Sequence, residues 1–175
     1  AFAQGRHAKK EIGVRKQAAP YADGLYGARR QGTSQRFAML GDSLAAGLGA
    51  GEARYTPAAM IAQGVSNVLD RPVRLMNAAT VGARSADLLG QVDRALHMRP
   101  HLAVIIIGAN DVTHVGRPQA AVAHLEEAVR RLRAVDCEVV VGTCPDVGSV
   151  RPIPQPLRWV ARRLSRQLAA APRIV

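Results

Sequence analysis

From residue 36 onwards, short apolar runs alternate with longer segments in which apolar residues recur every three or four positions. Apolar, β-branched runs bounded by Gly or Pro are typical of strands that a parallel sheet buries on both faces. The predicted strands are Phe37–Leu40, Val73–Met76, Leu102–Ile107 and Glu138–Thr143. Recurrence every three or four positions indicates amphipathic helices. The predicted helices are Pro57–Leu69, Ser85–His97, Pro118–Ala134 and Leu157–Ala170.

Apolar side chains mark the side of each helix that we expect to face the sheet. In the first helix these are Met60, Ile61, Val65, Val68 and Leu69. In the second helix, for which Ser85 is the predicted N-cap, they are Leu88, Leu89, Val92 and Leu96. The last helix is basic on its polar side, and a helix of this kind can also lie on a membrane surface. We expect it to pack on the sheet, because a series of strands and helices needs that cover.

Alternating strands and helices predict an α/β domain, a three-layer α/β/α sandwich around a parallel sheet with right-handed crossovers. Arg173-Ile174-Val175 has the character of the first residues of a fifth strand. We therefore expect the last strand and helix of the fold to be missing from this chain.

Residues 1–35 differ in character from the rest, because they are rich in Lys, Arg, Gly, Ala and Gln. They predict a short helix over Ala3–Val14, then an irregular, turn-rich arm, with the α/β domain occupying residues 36–175. The arm is interpreted either as a surface appendage or as a basic stem that associates with a membrane surface.

The net charge of +11 would permit nucleic acid or anionic lipid as a partner. Aromatic residues make up 3% of the chain, too few to interleave with the basic residues as a base-stacking surface requires, so we predict no nucleic-acid partner. Cys137 and Cys144 lie about 20 Å apart if the apolar run between them is extended, beyond the reach of a disulfide. Since no metal-ligand spacing, P-loop or dinucleotide glycine pattern occurs either, we predict no metal and no cofactor.

Three distinctive motifs follow three successive predicted strands. They are Gly41-Asp42-Ser43-Leu44, the segment from Asn77 to Gly82, and Gly108-Ala109-Asn110-Asp111. Each motif is weak by itself, but ligands of an open parallel sheet bind at the carboxyl ends of its strands. Their succession therefore predicts a functional site at that edge of the sheet.

These motifs resemble the blocks of the SGNH/GDSL hydrolase family, a family of serine esterases and lipases with a flavodoxin-like fold. The resemblance runs from about Arg36 to the end of the chain. The residues around the motifs are similar to those of an actinobacterial branch whose members are often exported or membrane-tethered. It implies a location in the cell envelope or outside the cell, with the cytoplasm as the alternative.

The resemblance implies that Ser43 is the nucleophile, and that an oxyanion hole is formed by the backbone N–H groups of Ser43 and Gly82 and the side-chain amide of Asn110. A glycine lets the backbone approach a substrate without a Cβ, and an amide offers uncharged donors. Asp42 and Asp111 are predicted to hold loop N–H groups. Simpler interpretations remain open: Ser43 as a helix N-cap, Gly82 as a turn glycine, and Asn110 with Asp111 as turn residues.

The family takes its catalytic acid and base from a D-x-x-H motif near the C-terminus. In this chain no aspartate follows Asp146 and no histidine follows His124. We therefore expect the chain as it stands to be inactive. A D-x-x-H string does occur at Asp111–His114, where it overlaps the Asn110 block, and His114 is the alternative base.

The predicted function is hydrolysis of carboxylic esters, acyl or acetyl, through a serine acyl-enzyme. The predicted substrate is a small-molecule or lipid ester, and nothing in the sequence indicates an oligomeric state. One alternative is a degenerate SGNH-fold module that binds its ligand without cleaving it. Another is a flavodoxin-like receiver or nucleotide domain, which the lone Asp42 and the absence of a phosphate loop disfavour.

Overall fold

The computed structural model describes residues 18–113 and 118–142, together with Arg163 and Arg166. The strands of this part are β1 (Gly24–Tyr26), β2 (Gln35–Gly41), β3 (Val73–Asn77), β4 (Leu102–Ile106) and β5 (Glu138–Gly142). The α-helices are α1 (Ser43–Ala46), α2 (Pro57–Leu69), α3 (Leu88–Leu96), α4 (Ala109–Thr113) and α5 (Pro118–Arg133). Two 3₁₀ turns, Ala53–Tyr55 and Ser85–Asp87, precede α2 and α3.

The five strands form one sheet in the order β1-β3-β2-β4-β5. The strands β2 to β5 run parallel, whereas β1 pairs antiparallel with β3 at the edge. The predicted α/β fold is confirmed, and each of the four predicted strands is found with its ends shifted by two residues or fewer.

Successive side chains of β2 point to opposite faces of the sheet and so contribute to two apolar cores, one on each face. Phe37 and Met39 face α2, where they pack with the alanines of that helix. Ala38 and Leu40 face the opposite way and pack with residues of α3 and α5. The described residues therefore form three layers, with the sheet in the middle.

The predicted inward side of α2 is wrong for Met60, Val68 and Leu69, whereas Ile61 and Val65 pack against the core as predicted. Met60 is 61% exposed and Val68 is 85% exposed, whereas the buried residues of this helix are Ala58, Ala59, Ala62 and Ser66. Small side chains let the helix backbone approach the sheet closely, and Met60 and Val68 are left facing outwards. For α3 the predicted inward side is confirmed, since Leu88 and Val92 are buried and Leu89 and Leu96 pack against the same core.

The prediction of an irregular arm before residue 36 is wrong at β1. Leu25 pairs with Arg74 of β3, and Ala22, just before the strand, is buried in the same core as Phe37. Asp23 accepts a hydrogen bond from the backbone N–H of Asn77 at 2.7 Å and so holds this segment to the end of β3. The residues around β1 are thus an integral part of the sheet.

Several predicted elements lie outside the described residues. They are the helix over Ala3–Val14, the fifth strand at Arg173–Val175 and most of the helix over Leu157–Ala170, of which Arg163 and Arg166 are described, helical and exposed. Within the described residues, no helix is long and apolar enough to cross a membrane.

Candidate active site

The three predicted site residues come together at the carboxyl edge of three neighbouring strands. Ser43 follows β2, Gly82 lies in the loop after β3, and Asn110 lies in α4 after β4. Because β2 is flanked by β3 and β4, the loop that carries Ser43 lies between the other two. This is the edge at which the sequence predicted a functional site.

Ser43 is the first residue of α1, and its side chain is partly exposed. Asp42 occupies the N-cap position, where its carboxylate accepts a hydrogen bond from the backbone N–H of Leu44 at 3.0 Å. The interpretation of Ser43 as the cap of this helix is therefore wrong, and the predicted holding role of Asp42 is confirmed.

Asp42 is buried, with 3% of its surface exposed. Burial raises its pKa above the usual value, and the nearby charge of Asp111 raises it further. Hydrogen bonds from the backbone N–H groups of Leu44 and Ala109 act in the opposite direction. Through those two bonds Asp42 joins the start of α1 to the start of α4.

Gly41, the last residue of β2, sets the direction in which the chain leaves the sheet. Its φ of +138° is a value that residues with a side chain rarely adopt, and a Cβ there would overlap the carbonyl oxygen of Ile106. The next peptide N–H, that of Asp42, donates to the same Ile106 oxygen at 3.1 Å. Strand β4 is therefore in direct contact with the backbone that leads to Ser43.

The loop that carries Gly82 begins with a hydrogen bond to β2 and closes in a turn. Thr80 N donates to Gly41 O at 3.0 Å, and Ala83 N donates to Thr80 O at 3.0 Å. Gly82 has φ +85° at the third position of this turn, where glycine is favoured. A Cβ at Gly82 would meet no atom within 4 Å, so its backbone faces open space and the need for glycine here is conformational.

Asn110 and Asp111 fasten the Gly82 loop from the other side. The Asn110 side-chain amide donates to Ala83 O at 2.8 Å. Asp111 accepts hydrogen bonds from the Ser85 hydroxyl at 2.7 Å and from the Ser85 backbone N–H at 3.0 and 3.3 Å. The holding role predicted for Asp111 is confirmed, and the prediction that Ser85 caps the following helix is wrong, because its hydroxyl is bound to Asp111.

Gln91 belongs to this edge and was missed by sequence reasoning. Its side-chain carbonyl accepts from Gly41 N at 2.7 Å and its amide donates to Gly41 O at 2.9 Å, while the residue itself is 1% exposed. Its position in the sequence could have indicated it, because Gln91 falls among the apolar residues Leu88, Val92 and Ala95 on one side of α3. A polar residue in such a position indicates a buried hydrogen-bonding partner.

His97, at the end of α3, and His101, just before β4, lie at the edge of the sheet opposite Ser43. The ring Nδ1 of His101 accepts from the backbone N–H of Arg36 at 3.2 Å, and burial together with the charge of Arg36 lowers its pKa. At about 3.3 Å per residue, Ser43 lies about 20 Å further along the chain from Arg36. His97 ends α3 at that same far edge, so neither histidine reaches Ser43. His114 lies outside the described residues.

In residues 18–113 and 118–142 and at Arg163 and Arg166, no group of three His, Cys, Asp or Glu side chains could hold a metal ion.

The family model described as the GDSL-like lipase/acylhydrolase family matches residues 39–173. The chain belongs to this family. It is 39% identical over 180 aligned residues to the GDSL-like esterase Rv1075c of Mycobacterium tuberculosis, and the alignment covers 96% of this chain and 57% of that protein. The chain thus spans little more than half the length of this family member.

Solved structures of the family share the fold. AlinE4, an SGNH-hydrolase family esterase, superposes with a TM-score of 0.57 at 21% identity, covering 77% of this chain and 74% of its own. The acetylxylan esterase Axe2 from Geobacillus stearothermophilus gives a TM-score of 0.57 at 18% identity, with 80% and 72% covered. At these identities the likeness concerns the fold, and it confirms that this GDSL-family chain has the SGNH α/β architecture.

Proposed function

We propose that the protein hydrolyses carboxylic esters, acyl or acetyl, through an acyl-enzyme formed on Ser43. The observation that carries the proposal is the meeting of Ser43, the Gly82 loop and Asn110 at three neighbouring strand ends. Two hydrogen bonds join these parts, from Thr80 N to Gly41 O at 3.0 Å and from Asn110 Nδ2 to Ala83 O at 2.8 Å. Membership of a family whose curated relative is named an esterase supports the same reaction.

In the proposed reaction, the Ser43 hydroxyl oxygen attacks the ester carbonyl carbon while its proton passes to a general base. The tetrahedral intermediate collapses, its C–O bond to the alcohol breaks, and the protonated base returns the proton to the leaving alcohol. Water then attacks the acyl carbon while the same base accepts its proton, and that proton passes to the Ser43 oxygen as the bond from the acyl carbon to Ser43 breaks. The products are the carboxylic acid and free Ser43.

Negative charge develops on the carbonyl oxygen in both steps, and fixed donors stabilise it. We propose that the backbone N–H groups of Ser43 and Gly82 and the side-chain amide of Asn110 supply these donors. The amide of Asn110 is uncharged and carries two N–H groups. Its bond to Ala83 O fixes the plane of the amide, so that little reorganisation accompanies the reaction.

The general base is proposed to be a histidine outside the described residues. Within them, no hydrogen bond joins the Ser43 hydroxyl to a histidine ring, and His97 and His101 lie at the opposite edge of the sheet. The candidates are His114 and the histidine of the D-x-x-H motif that members of the family carry near the C-terminus. The expectation that the 175-residue chain alone is inactive stays a prediction.

A fluorophosphonate probe tests the proposal, because it forms a stable adduct with an activated serine. We expect the full-length protein to be labelled at Ser43, as mapped by mass spectrometry, and the Ser43→Ala variant to lose both labelling and ester hydrolysis. Ser66→Ala is the matched control, because Ser66 lies near the end of α2 and donates to Arg71 O at 2.8 Å, away from the candidate site. Unchanged hydrolysis in Ser43→Ala would refute the proposal.

Two further comparisons extend this test. Labelling of the full-length protein but not of the 175-residue chain would assign the base to the additional sequence, whereas labelling of both that disappears in His114→Ala would assign it to His114. A module that binds without cleaving would retain an ester analogue, yet show neither an adduct nor turnover.

A further inference from the structure

One hydrogen bond of the ladder between β2 and β3 is replaced at the point where the candidate site begins. Their ladder continues past the end of β3, since Ala78 N donates to Met39 O at 2.8 Å and Thr80 N donates to Gly41 O at 3.0 Å. In a regular parallel ladder the N–H of Gly41 would donate to the carbonyl of Ala78. Here that bond is absent, and both groups have other partners.

The two partners come from one side of α3. Gln91 accepts from Gly41 N at 2.7 Å, and Arg94, one turn later, donates from Nη2 to Ala78 O at 2.7 Å. Two side chains therefore replace one ladder bond and satisfy both backbone groups. A buried backbone group without a hydrogen-bond partner is destabilising, so the pair stabilises this interruption of the ladder.

Gln91 makes a second hydrogen bond to Gly41, because its amide also donates to Gly41 O at 2.9 Å. A single side chain thus binds the N–H and the C=O of the same residue, and fixes both backbone torsions of Gly41. The carbonyl it holds is the one that Thr80 N, in the Gly82 loop, also contacts at 3.0 Å. The loop that carries Ser43 and the loop that carries Gly82 are therefore both held through the backbone of Gly41.

The position of Ser43 relative to the sheet depends on contacts with other elements. They include the bonds of Gln91 to Gly41, the bond from Asn77 Nδ2 to Ala45 O at 3.2 Å and the burial of Ala45. The helix α1 has four residues, far fewer than an isolated helix needs to be stable. Asp42 is fixed through its N–H to Ile106 O at 3.1 Å, and Gly41 is the residue at which the chain turns out of the sheet. A change in the torsions of Gly41 would displace Ser43 and the Thr80 contact together.

We propose that Gln91 is a positioning residue for the reaction, and that it aligns Ser43 with the Gly82 loop through the two polar atoms of Gly41. The proposal rests on the proposed function of Ser43. It assigns Gln91 an effect on the chemical step rather than on substrate binding, because Gln91 is 1% exposed and has no access to a substrate.

Two variants of Gln91 test this in the full-length protein. Gln91→Met keeps the length of the side chain and removes both hydrogen bonds. We expect kcat, expressed per fluorophosphonate-titratable site, to fall by about ten- to a hundredfold while KM changes less than threefold, since misplacing a reacting group by 1 Å costs about 10²-fold. A residue needed only for stability would lower the number of titratable sites and leave kcat per site unchanged.

Gln91→Glu gives a second readout that depends on pH. A carboxylate can accept from Gly41 N but cannot donate to Gly41 O, whereas a protonated carboxyl group can do both. We expect the ratio of variant to wild-type kcat to rise as the pH falls from about 8 to about 5.5. Gln63→Glu is the matched control, because Gln63 is exposed on α2, and its ratio should stay constant.

The outcomes separate the two proposals. If Ser43→Ala is inactive and both Gln91 variants keep kcat per site within twofold of wild type at every pH, the positioning role is refuted and the nucleophile stands. If the Gln91→Met loss lies wholly in the number of titratable sites, the role of Gln91 is structural and the proposal is again refuted. Full activity in Ser43→Ala refutes both proposals.

Discussion

Replacing Ser85 with Ala removes the shortest of the hydrogen bonds that Asp111 accepts. The Ser85 hydroxyl is 2.7 Å from Asp111 Oδ1, and the residue is 3% exposed. A hydrogen bond to a charged group contributes about 1.5–3 kcal/mol, and because Asp111 is only partly buried we expect a value near the lower end, about 1–2 kcal/mol. The backbone N–H of Ser85 keeps Asp111 partly satisfied, at 3.0 and 3.3 Å, which limits the loss.

The assay is equilibrium unfolding in urea, followed by far-ultraviolet circular dichroism. The midpoint should fall with an unchanged slope, because the surface exposed on unfolding stays the same. The control is Ser34→Ala, since the Ser34 hydroxyl is buried without a hydrogen-bond partner among the described residues. Removing an unpaired buried hydroxyl should be neutral or stabilising. If the two variants change the free energy of unfolding equally, within about 0.5 kcal/mol, the assignment of the Ser85–Asp111 bond as a major tie is wrong.

Three more predictions concern the site and its surroundings. Asn110→Ala should lower kcat about 10²–10³-fold with little change in KM, as measured by steady-state ester hydrolysis, and a loss below fivefold would remove Asn110 from the oxyanion hole. Gly82→Ala should fold, since its Cβ meets no atom within 4 Å, but the φ of +85° should cost about 1–2 kcal/mol of unfolding free energy in urea titrations. Burial raises the pKa of Cys137 to about 11, so iodoacetamide at pH 8 should leave it unmodified in the folded protein and alkylate it in urea, as read by peptide mass spectrometry.

The sequence predicted what depends on patterns repeated along the chain. Continuous apolar runs such as Leu102–Ile107 correctly predicted the parallel strands, because a strand covered on both faces needs apolar residues at every position. The three motifs were located at the correct edge for the same reason, since a parallel sheet brings the carboxyl ends of its strands together.

The errors have physical causes. The three residues of β1 are too few to show a period, and β3 supplies the hydrogen bonds that order them. In α2 the closeness of packing, rather than the size of the side chains, selected Ala58 and Ala62 for burial and left Met60 in solvent. Gln91 went unnoticed because its partner is a backbone glycine 50 positions away along the chain.

The antiparallel direction of β1 has a consequence for how the domain can be attached to anything else. Gly24 pairs with Leu75 and Tyr26 with Val73, so the residues before β1 lie beside the end of β3, where Asp23 binds Asn77. The chain therefore comes into the domain on the side of Ser43, two strand spacings away, about 10 Å across the sheet. An immobilising tag or a fluorescent donor joined directly to residue 18 would lie at the same edge of the sheet as an ester that approaches Ser43. The same attachment made beside His101 would lie at the opposite edge of the sheet, away from Ser43.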